Sequence, residues 1–315
     1  MERPTVSVVI ATRNRCARLR ETLEPLLADP AADEVVVVAD GCRDGSTEML
    51  RGLAARHERL RLLPTAHRGR AAARQLGIET ATGEVVVMLD DDVIAAPGLV
   101  AGHARAHAAE HDLVMVGYMP VRLPGRRGPG DASTFLYASN YEGSCQACER
   151  DPSLVLTSMW GGNVSLSRHD ALRVGMDTSF THHEDRDFGL RCLKAGLRGR
   201  FDRSLRADHV HRRTLASLRR CARGQGAGRV EIHRVHSDVL APMDEGVFTR
   251  ELPGPLSALV IACRRPRAGA ICAGMLAATA TLAGRLRLWR AETNAVKLLR
   301  RVELQRGATR ALLRH

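Results

Sequence analysis

Two groups of adjacent carboxylates stand where the sequence could do chemistry. Asp90, Asp91 and Asp92 follow an apolar run at 85–89, and Glu184 and Asp185 follow a pair of histidines. Three adjacent carboxylates repel one another, so a chain that keeps them at a strand end needs something positive for them to face. On extended backbone, alternate side chains share a face. That pairs Asp90 with Asp92 and sends Asp91 away or into the loop. Two convergent carboxylates suit a hard divalent cation, Mg2+ or Mn2+, completed by water and phosphate oxygens. The plainer alternative is an acidic turn that caps the helix opened by Pro97. Glu184 and Asp185 begin a helical pattern, where the positive helix end favours ionised carboxylates. Simple N-capping by Asp185 is the alternative there.

Regular elements must hold these residues. Apolar runs at 6–11, 35–39, 85–89 and 113–117, with a weaker one at 60–63, predict short strands. Helical patterns fill the gaps: one to about Ala28, one from Ser46 as N-cap with Glu48 in its first turn, one at 68–82 stopped by Gly83, and one from Pro97. Further helices are expected at 133–149 and from Glu184 to about Lys194, closed by Gly196. Short apolar strands alternating with helices predict an α/β fold with a mostly parallel sheet covered on both faces. In such sheets ligands bind beyond the carboxyl ends of the strands. Thr12 with Arg13, Asp40, and the Asp90–92 triplet all end strands, so they should converge on one crevice.

Composition limits what such a crevice serves. Of 315 residues, 44% are hydrophobic but only 3% aromatic, so the core must rest on Val, Leu, Ala and Ile. The 47 bases exceed the 35 acids, a formal charge of +12, which favours anionic partners. Residues 285–315 carry nine bases against two acids, so seven of the twelve excess charges sit in that tail. The body is only mildly basic, and nucleic acid is not the expected partner. Among eight cysteines only Cys145 and Cys148 form a CxxC pair, without the second pair a zinc site needs. The first apolar run is too short for a secretory leader, so reduced thiols and a cytoplasmic location are expected.

The order of five segments resembles the GT-A glycosyltransferases of family 2. They are SVVIATRNR at 7–15, VVVVADGCRDGS at 35–46, GRAAARQLGIETATGEVVVMLDDDV at 69–93, WGGNVSLSR at 160–168 and HHEDRDFGLRCLKAG at 182–196. The resemblance covers roughly residues 5–230 and implies a Rossmann-like GT-A catalytic domain at 1–230, with a helical extension at 231–315. It implies transfer of one sugar from a nucleoside-diphosphate sugar, with UDP expected, to an acceptor hydroxyl of a glycan, a lipid-linked molecule or a small molecule. By the resemblance Thr12, Arg13, Asp40 and Arg74 line the nucleotide pocket, though Gln75 stands where Asn is usual. Asp90 touches the ribose and shares the metal with Asp92, and Asp91 can assist either. Asp185 is the general base, Glu184 orients the acceptor, and Asp187 is a weaker substitute for Asp185. Of His209 and His211, the resemblance points one at the metal or diphosphate, and the bases Arg212 and Arg213 favour His211. Trp160, Gly161, Gly162 and Asn163 floor the acceptor site, unless they are simply a buried Trp beside a tight turn. The glycine-rich RRCARGQGAG at 219–228 is expected to form a mobile lid. The missing QxxRW element of processive members argues for single transfers, and inversion is expected from direct attack.

Two other readings compete. A sugar-1-phosphate nucleotidyltransferase shares the crevice logic but needs a glycine-rich phosphate loop near residue 10, which is missing. A non-catalytic basic nucleic-acid- or lipid-binding α/β protein explains the tail but not the two carboxylate clusters. The charge-free stretch 268–283 is shorter than the roughly 20 apolar residues of a membrane span. It and the basic, Leu-rich stretch after it either fold back on the protein or contact an anionic membrane surface at the inner face.

Overall fold

The structure, a computed structural model, describes residues 3–244 and 246–313. The chain divides into two compact units, Met1–Arg122 with Glu142–Val210, and Leu123–Tyr141 with His211–His315.

In the first unit the chain runs β1 (Val6–Thr12), α1 (Cys16–Ala28), β2 (Glu34–Asp40), α2 (Ser46–Ala54), β3 (Leu60–Thr65), α3 (Arg70–Thr80) and β4 (Val85–Asp90). It continues through β5 (Val93–Ala95), α4 (Leu99–Ala109), β6 (Leu113–Tyr118), the second part of α5 (Ala132–Arg150) and α6 (Leu154–Thr157). It closes with β7 (Asn163–Ser167), α7 (Arg168–Val174), α8 (Glu184–Lys194) and β8 (Arg198–His209). The sheet order is β3-β2-β1-β4-β7-β6-β8-β5. The first four strands are parallel, and Val8, Val9, Val36, Val37, Val86 and Val87 on them are fully buried. A strand covered on both faces has no polar side to show, which is why these runs lack alternation.

The second half of the sheet is mixed. β7 inserts antiparallel between β4 and β6, while β8 runs parallel to β6 and then pairs antiparallel with β5. β5 is an apolar stretch of only three residues, and β8 carries no apolar run at all. β8 reads RGRFDRSLRADH, and only Leu205, Ala207 and His209 along it are buried. Helix starts shift by a residue or two from the expected ones, as helix ends do. Gly45, in left-handed backbone, is the N-cap of α2, so Ser46 is its first helical residue rather than its cap. The cap-like bond comes from Asp44, whose Oδ1 accepts from the Ser46 N–H at 3.1 Å. Cys145 and Cys148 are buried on α5, and burial pushes the Cys148 thiol up, away from the thiolate a zinc site requires.

The described second unit is helical. Besides the start of α5 it holds α9 (Leu215–Val235), α10 (Gly254–Ala262), α11 (Pro266–Arg285) and α12 (Trp289–Leu312). The expected domain limit near residue 230 falls inside α9. The expected lid at 219–228 is likewise helix, and Gly226 within it has a packing role. A Cβ on Gly226 would meet the Leu304 carbonyl oxygen at 2.0 Å, and one on Gly307 would meet the Arg223 carbonyl oxygen at 2.0 Å. Glycine at both positions lets the backbones of α9 and α12 touch. Two fully buried carboxylates pin this bundle. Glu303 accepts from Arg219 at 2.8 Å and Arg306 at 2.9 Å, and Glu292 takes Arg127 at 3.0 Å and the Gly130 N–H at 2.7 Å. Unpaired, either acid would be a costly buried charge.

Candidate active site

The site is built at the carboxyl ends of β2, β1 and β4, where the register sets Thr12 beside Ala39 and Asp90 beside Ala11. β4 ends at Asp90, and Asp91 and Asp92 form a turn. Two-residue alternation therefore stops at Asp90, and the expected shared face of Asp90 and Asp92 does not form. The carboxylates instead meet different groups, with Arg15 shared by Asp91 and Asp92. Asp90 accepts from Arg74, a buried cation on α3, at 2.5 Å. Asp91, expected to point away, accepts from the Thr12 hydroxyl at 2.7 Å and lies 3.5 Å from Arg15. Burial raises its carboxyl, against the pull of Thr12 and Arg15. Asp92 meets Arg15 at 3.3 Å and Nε2 of His209 at 3.1 Å. The β5–β8 ladder is what delivers His209, since Val93 pairs with it directly.

The WGGN turn serves this cluster through its backbone. The Asp90 N–H donates to the Gly162 carbonyl at 3.0 Å, and the Gly161 N–H donates to Asp185 at 3.3 Å. A Cβ on Gly162 would lie 2.5 Å from Asp90 Oδ2, and one on Gly161 would lie 2.7 Å from the Arg74 guanidinium. The two glycines thus give Asp90, Arg74 and Asp185 room to meet. Trp160 donates to the Gly117 carbonyl at 3.3 Å and packs edge-on against Phe201. Asn163 does not floor a surface, which corrects the expectation. It is fully buried, donates to the Leu205 carbonyl at 2.9 Å and contacts Nε2 of His103 at 2.9 Å. Burial pushes the pKa of His103 down to about 4, so it is a neutral residue of α4 buried against β7.

Glu184 and Asp185 open α8, after His183 in left-handed backbone at φ 64°. Burial first, and then the charge of Glu184, push Asp185 up to about 6, with Arg74 and Arg70 opposing them. Glu184 is buried and accepts from Arg70 at 3.0 Å. Asp187 is fully internal, at 1% exposure.

At the β2 end, Asp40 is buried and its oxygens accept from the backbone N–H of Arg68 at 2.6 Å and of Gly69 at 3.1 Å. His67 Nδ1 lies 2.7 Å from Asp40, and its Nε2 lies 2.8 Å from a nitrogen of Arg13. Arg13 can only donate, so Nε2 accepts and Nδ1 carries the hydrogen to Asp40. Asp40 thereby organises the 67–69 loop and, through His67, Arg13. Gln75, beside Arg74, turns away to the Met176 N–H at 2.9 Å and to Glu79.

The first unit therefore brings together Thr12, Arg74, Asp90, Asp91, Asp92, Glu184 and Asp185 on neighbouring strand and helix ends. His211 belongs to the second unit. Arg15, His67 and Arg70 were not singled out by sequence. Arg70 left a signal, for it stands one helical turn before Arg74 on the same face of α3. Arg15 and His67 left none. A carboxylate oxygen and an imidazole nitrogen, as Asp92 and His209 offer, form a donor set that suits Mn2+ at least as well as Mg2+.

Residues 7–167 match the family model for Glycosyl transferase family 2. Undecaprenyl-phosphate 4-deoxy-4-formamido-L-arabinose transferase of Aeromonas hydrophila is 35% identical over 117 residues, covering 35% of this chain and 35% of that protein. The uncharacterized glycosyltransferase YfnE of Bacillus subtilis is 33% identical over 119 residues, covering 37% of this chain and 30% of that one. The chain thus spans about a third of the length of the curated relatives it matches. Among solved structures, the mannosyltransferase PcManGT from Pyrobaculum calidifontis, in complex with GDP-Man and Mn2+, aligns with a TM-score of 0.59 at 20% identity, over 97% of this chain and 88% of that one. S. aureus TarS 1-349 in complex with UDP-GlcNAc aligns at 0.52 and 15% identity, over 92% and 90%. At these identities the structural likeness speaks for the fold, a GT-A architecture with a helical C-terminal region.

Proposed function

Since the chain belongs to glycosyl transferase family 2, we propose that its crevice moves a single sugar from a UDP-sugar to an acceptor hydroxyl, inverting the anomeric carbon. The observation that carries this is the position of Asp185. It is a carboxyl pushed up to about 6, hydrogen-bonded to the same glycine turn that positions Asp90 and Arg74. A base poised near neutral pH is what proton removal from an alcohol requires.

The acceptor hydroxyl gives its proton to Asp185 as its oxygen bonds to the anomeric carbon. The bond from that carbon to the diphosphate breaks, and the nucleoside diphosphate leaves with the electron pair. Glu184, held by Arg70, orients the acceptor, and Trp160, Gly161 and Gly162 border it. Asp90 takes the ribose, Asp91 keeps Thr12 in place, and Asp40 with Arg13 holds the base. A divalent cation, Mn2+ or Mg2+, held by Asp92 and His209 would neutralise the diphosphate as it departs. His211 stays a candidate third ligand on its place two residues after His209 in the chain. The Pyrobaculum and S. aureus neighbours, in complex with GDP-Man and Mn2+ and with UDP-GlcNAc, support a nucleotide-sugar donor and a cation. A cytoplasmic setting, where nucleotide sugars and the eight free cysteines coexist, belongs to the same reading.

Calorimetry of UDP and GDP with and without Mn2+, followed by a donor screen for nucleotide release, tests this. UDP should bind tightly only with metal, and one UDP-sugar should be consumed. Metal-independent binding, or a preference for GDP, would overturn the donor assignment. Release that persists in Asp185→Asn would overturn the assigned base.

A further inference from the structure

In the second unit, α11 exposes an apolar stripe, and α10 exposes further apolar side chains. On α11, Ile271, Met275 and Leu282 are 65%, 66% and 59% exposed. They stand at i, i+4 and i+11, which is one face of a helix. Leu259 and Ile261 on α10 and Leu286 just past α11 add to it. Single exposed apolar side chains are ordinary, but a run of them along one helix and its neighbour is not.

Charge says what covers this face. Between Gly254 and Arg290 the sequence has six arginines and no acid. They flank the apolar stretch, with Arg264, Arg265 and Arg267 before it and Arg285, Arg287 and Arg290 after it. All but Arg264 are exposed. Elsewhere in this unit basic side chains turn inward to Glu303 and Glu292. These have no acid on their own segment.

By length and composition α11 could cross a membrane, with 20 residues and a mean hydropathy of 1.2. Its other side argues against that. Gly269, Ala273, Ala280, Ala283 and Gly284 are buried. A Cβ on Gly284 would lie 2.8 Å from the Glu292 carboxylate, and one on Gly269 would lie 2.6 Å from the Cys263 carbonyl. A helix clamped by protein along one side cannot be wrapped by lipid. It can lie in the headgroup layer with its free apolar face down and its arginines among anionic headgroups.

We propose that the α10–α11 face docks this protein onto an anionic lipid bilayer. The proposal is independent of the sugar transfer, and its test uses neither donor nor acceptor. The full chain is floated with vesicles of phosphatidylcholine alone and of phosphatidylcholine with phosphatidylglycerol, at low and high salt. It should float with the anionic vesicles only, and less at high salt. The triple variant Ile271→Ser, Met275→Ser, Leu282→Ser should lose about tenfold or more of that binding, since each change removes apolar insertion. The variant Arg265→Gln, Arg267→Gln, Arg285→Gln, Arg287→Gln should lose the preference for anionic lipid. Both alter exposed positions, so circular dichroism should show the native fold. Wild-type protein that ignores anionic vesicles, or a triple variant that binds like wild type, would overturn the proposal. So would a dimer, seen by light scattering, that the triple variant dissolves, because a second copy would then cover the face.

Discussion

Asp92 Oδ1 lies 3.1 Å from Nε2 of His209, both nearly buried, because the three-residue strand β5 pairs with the end of β8. The triplet that begins as three repelling carboxylates is thereby split. Asp90 goes to Arg74, Asp91 to Thr12, and Asp92 to a histidine that is also a metal ligand type.

If this pair holds the cation, Asp92→Asn and His209→Ala should each weaken Mn2+-dependent UDP binding by about 10- to 100-fold or more, since losing a ligand costs at least as much as losing the group that orients it. Calorimetry at fixed UDP with titrated Mn2+ reads this directly. A variant with wild-type Mn2+ dependence would remove that residue from the metal site.

Asp185 ties activity to pH. Its carboxyl is pushed up to about 6, so the base form is lost as pH falls through that value. The rate should rise with pH across about 5 to 7 and then level off. Loss of the acidic limb in kcat/KM, with activity already full at pH 5, would contradict the assignment.

The same shift has a stability sign. A carboxyl whose pKa is raised on folding binds its proton more tightly in the folded state. Its contribution is favourable at low pH and is lost as pH rises from the ordinary carboxylate range through about 6. Asp185→Asn should therefore leave the fold more stable at pH 7.5, by something on the order of 1–2 kcal/mol after allowing for solvent, while stopping transfer. Thermal melts of both forms at pH 5 and pH 7.5 check it, and the gain should be larger at pH 7.5.

Gly162→Ala places a methyl 2.5 Å from Asp90 Oδ2. Either Asp90 leaves Arg74 or the turn shifts away from Asp185. A loss of about 1–3 kcal/mol in stability is expected, with a fall of tenfold or more in kcat/KM. Paired melts and kinetics separate the two effects.

Gly226→Val tests the crossing of α9 and α12. Its Cβ would overlap the Leu304 carbonyl oxygen at 2.0 Å, so the unit should lose about 3 kcal/mol or more. Limited proteolysis complements this. A packed helix resists cleavage at 219–228, whereas a lid would be cut there first.

Much of the fold was legible in the sequence because its signals are local. The apolar runs of β1, β2, β4 and β6, the polar groups that end them and the helix patterns between them need only neighbouring residues to be read. The two carboxylate clusters were visible for the same reason. β8 was not, since an arginine-rich strand shows its buried side only once β6 and β5 flank it. The glycines at 224–228 suggested mobility, because glycine alone cannot tell a loose backbone from one pressed against another.

The pairing of the site was decided by the tertiary structure alone. Sequence could say that Asp90, Asp91 and Asp92 needed positive partners. It could not say that α3 supplies Arg74, the β1–α1 connection supplies Arg15, and the far end of β8 supplies His209. It also set Asn163 in a substrate floor, where burial and the His103 contact make it part of the sheet. Those outcomes depend on distances between residues remote along the chain. Electrostatic and hydrogen-bond energies are set by such distances and by exclusion of water, and neither quantity exists until the chain is folded.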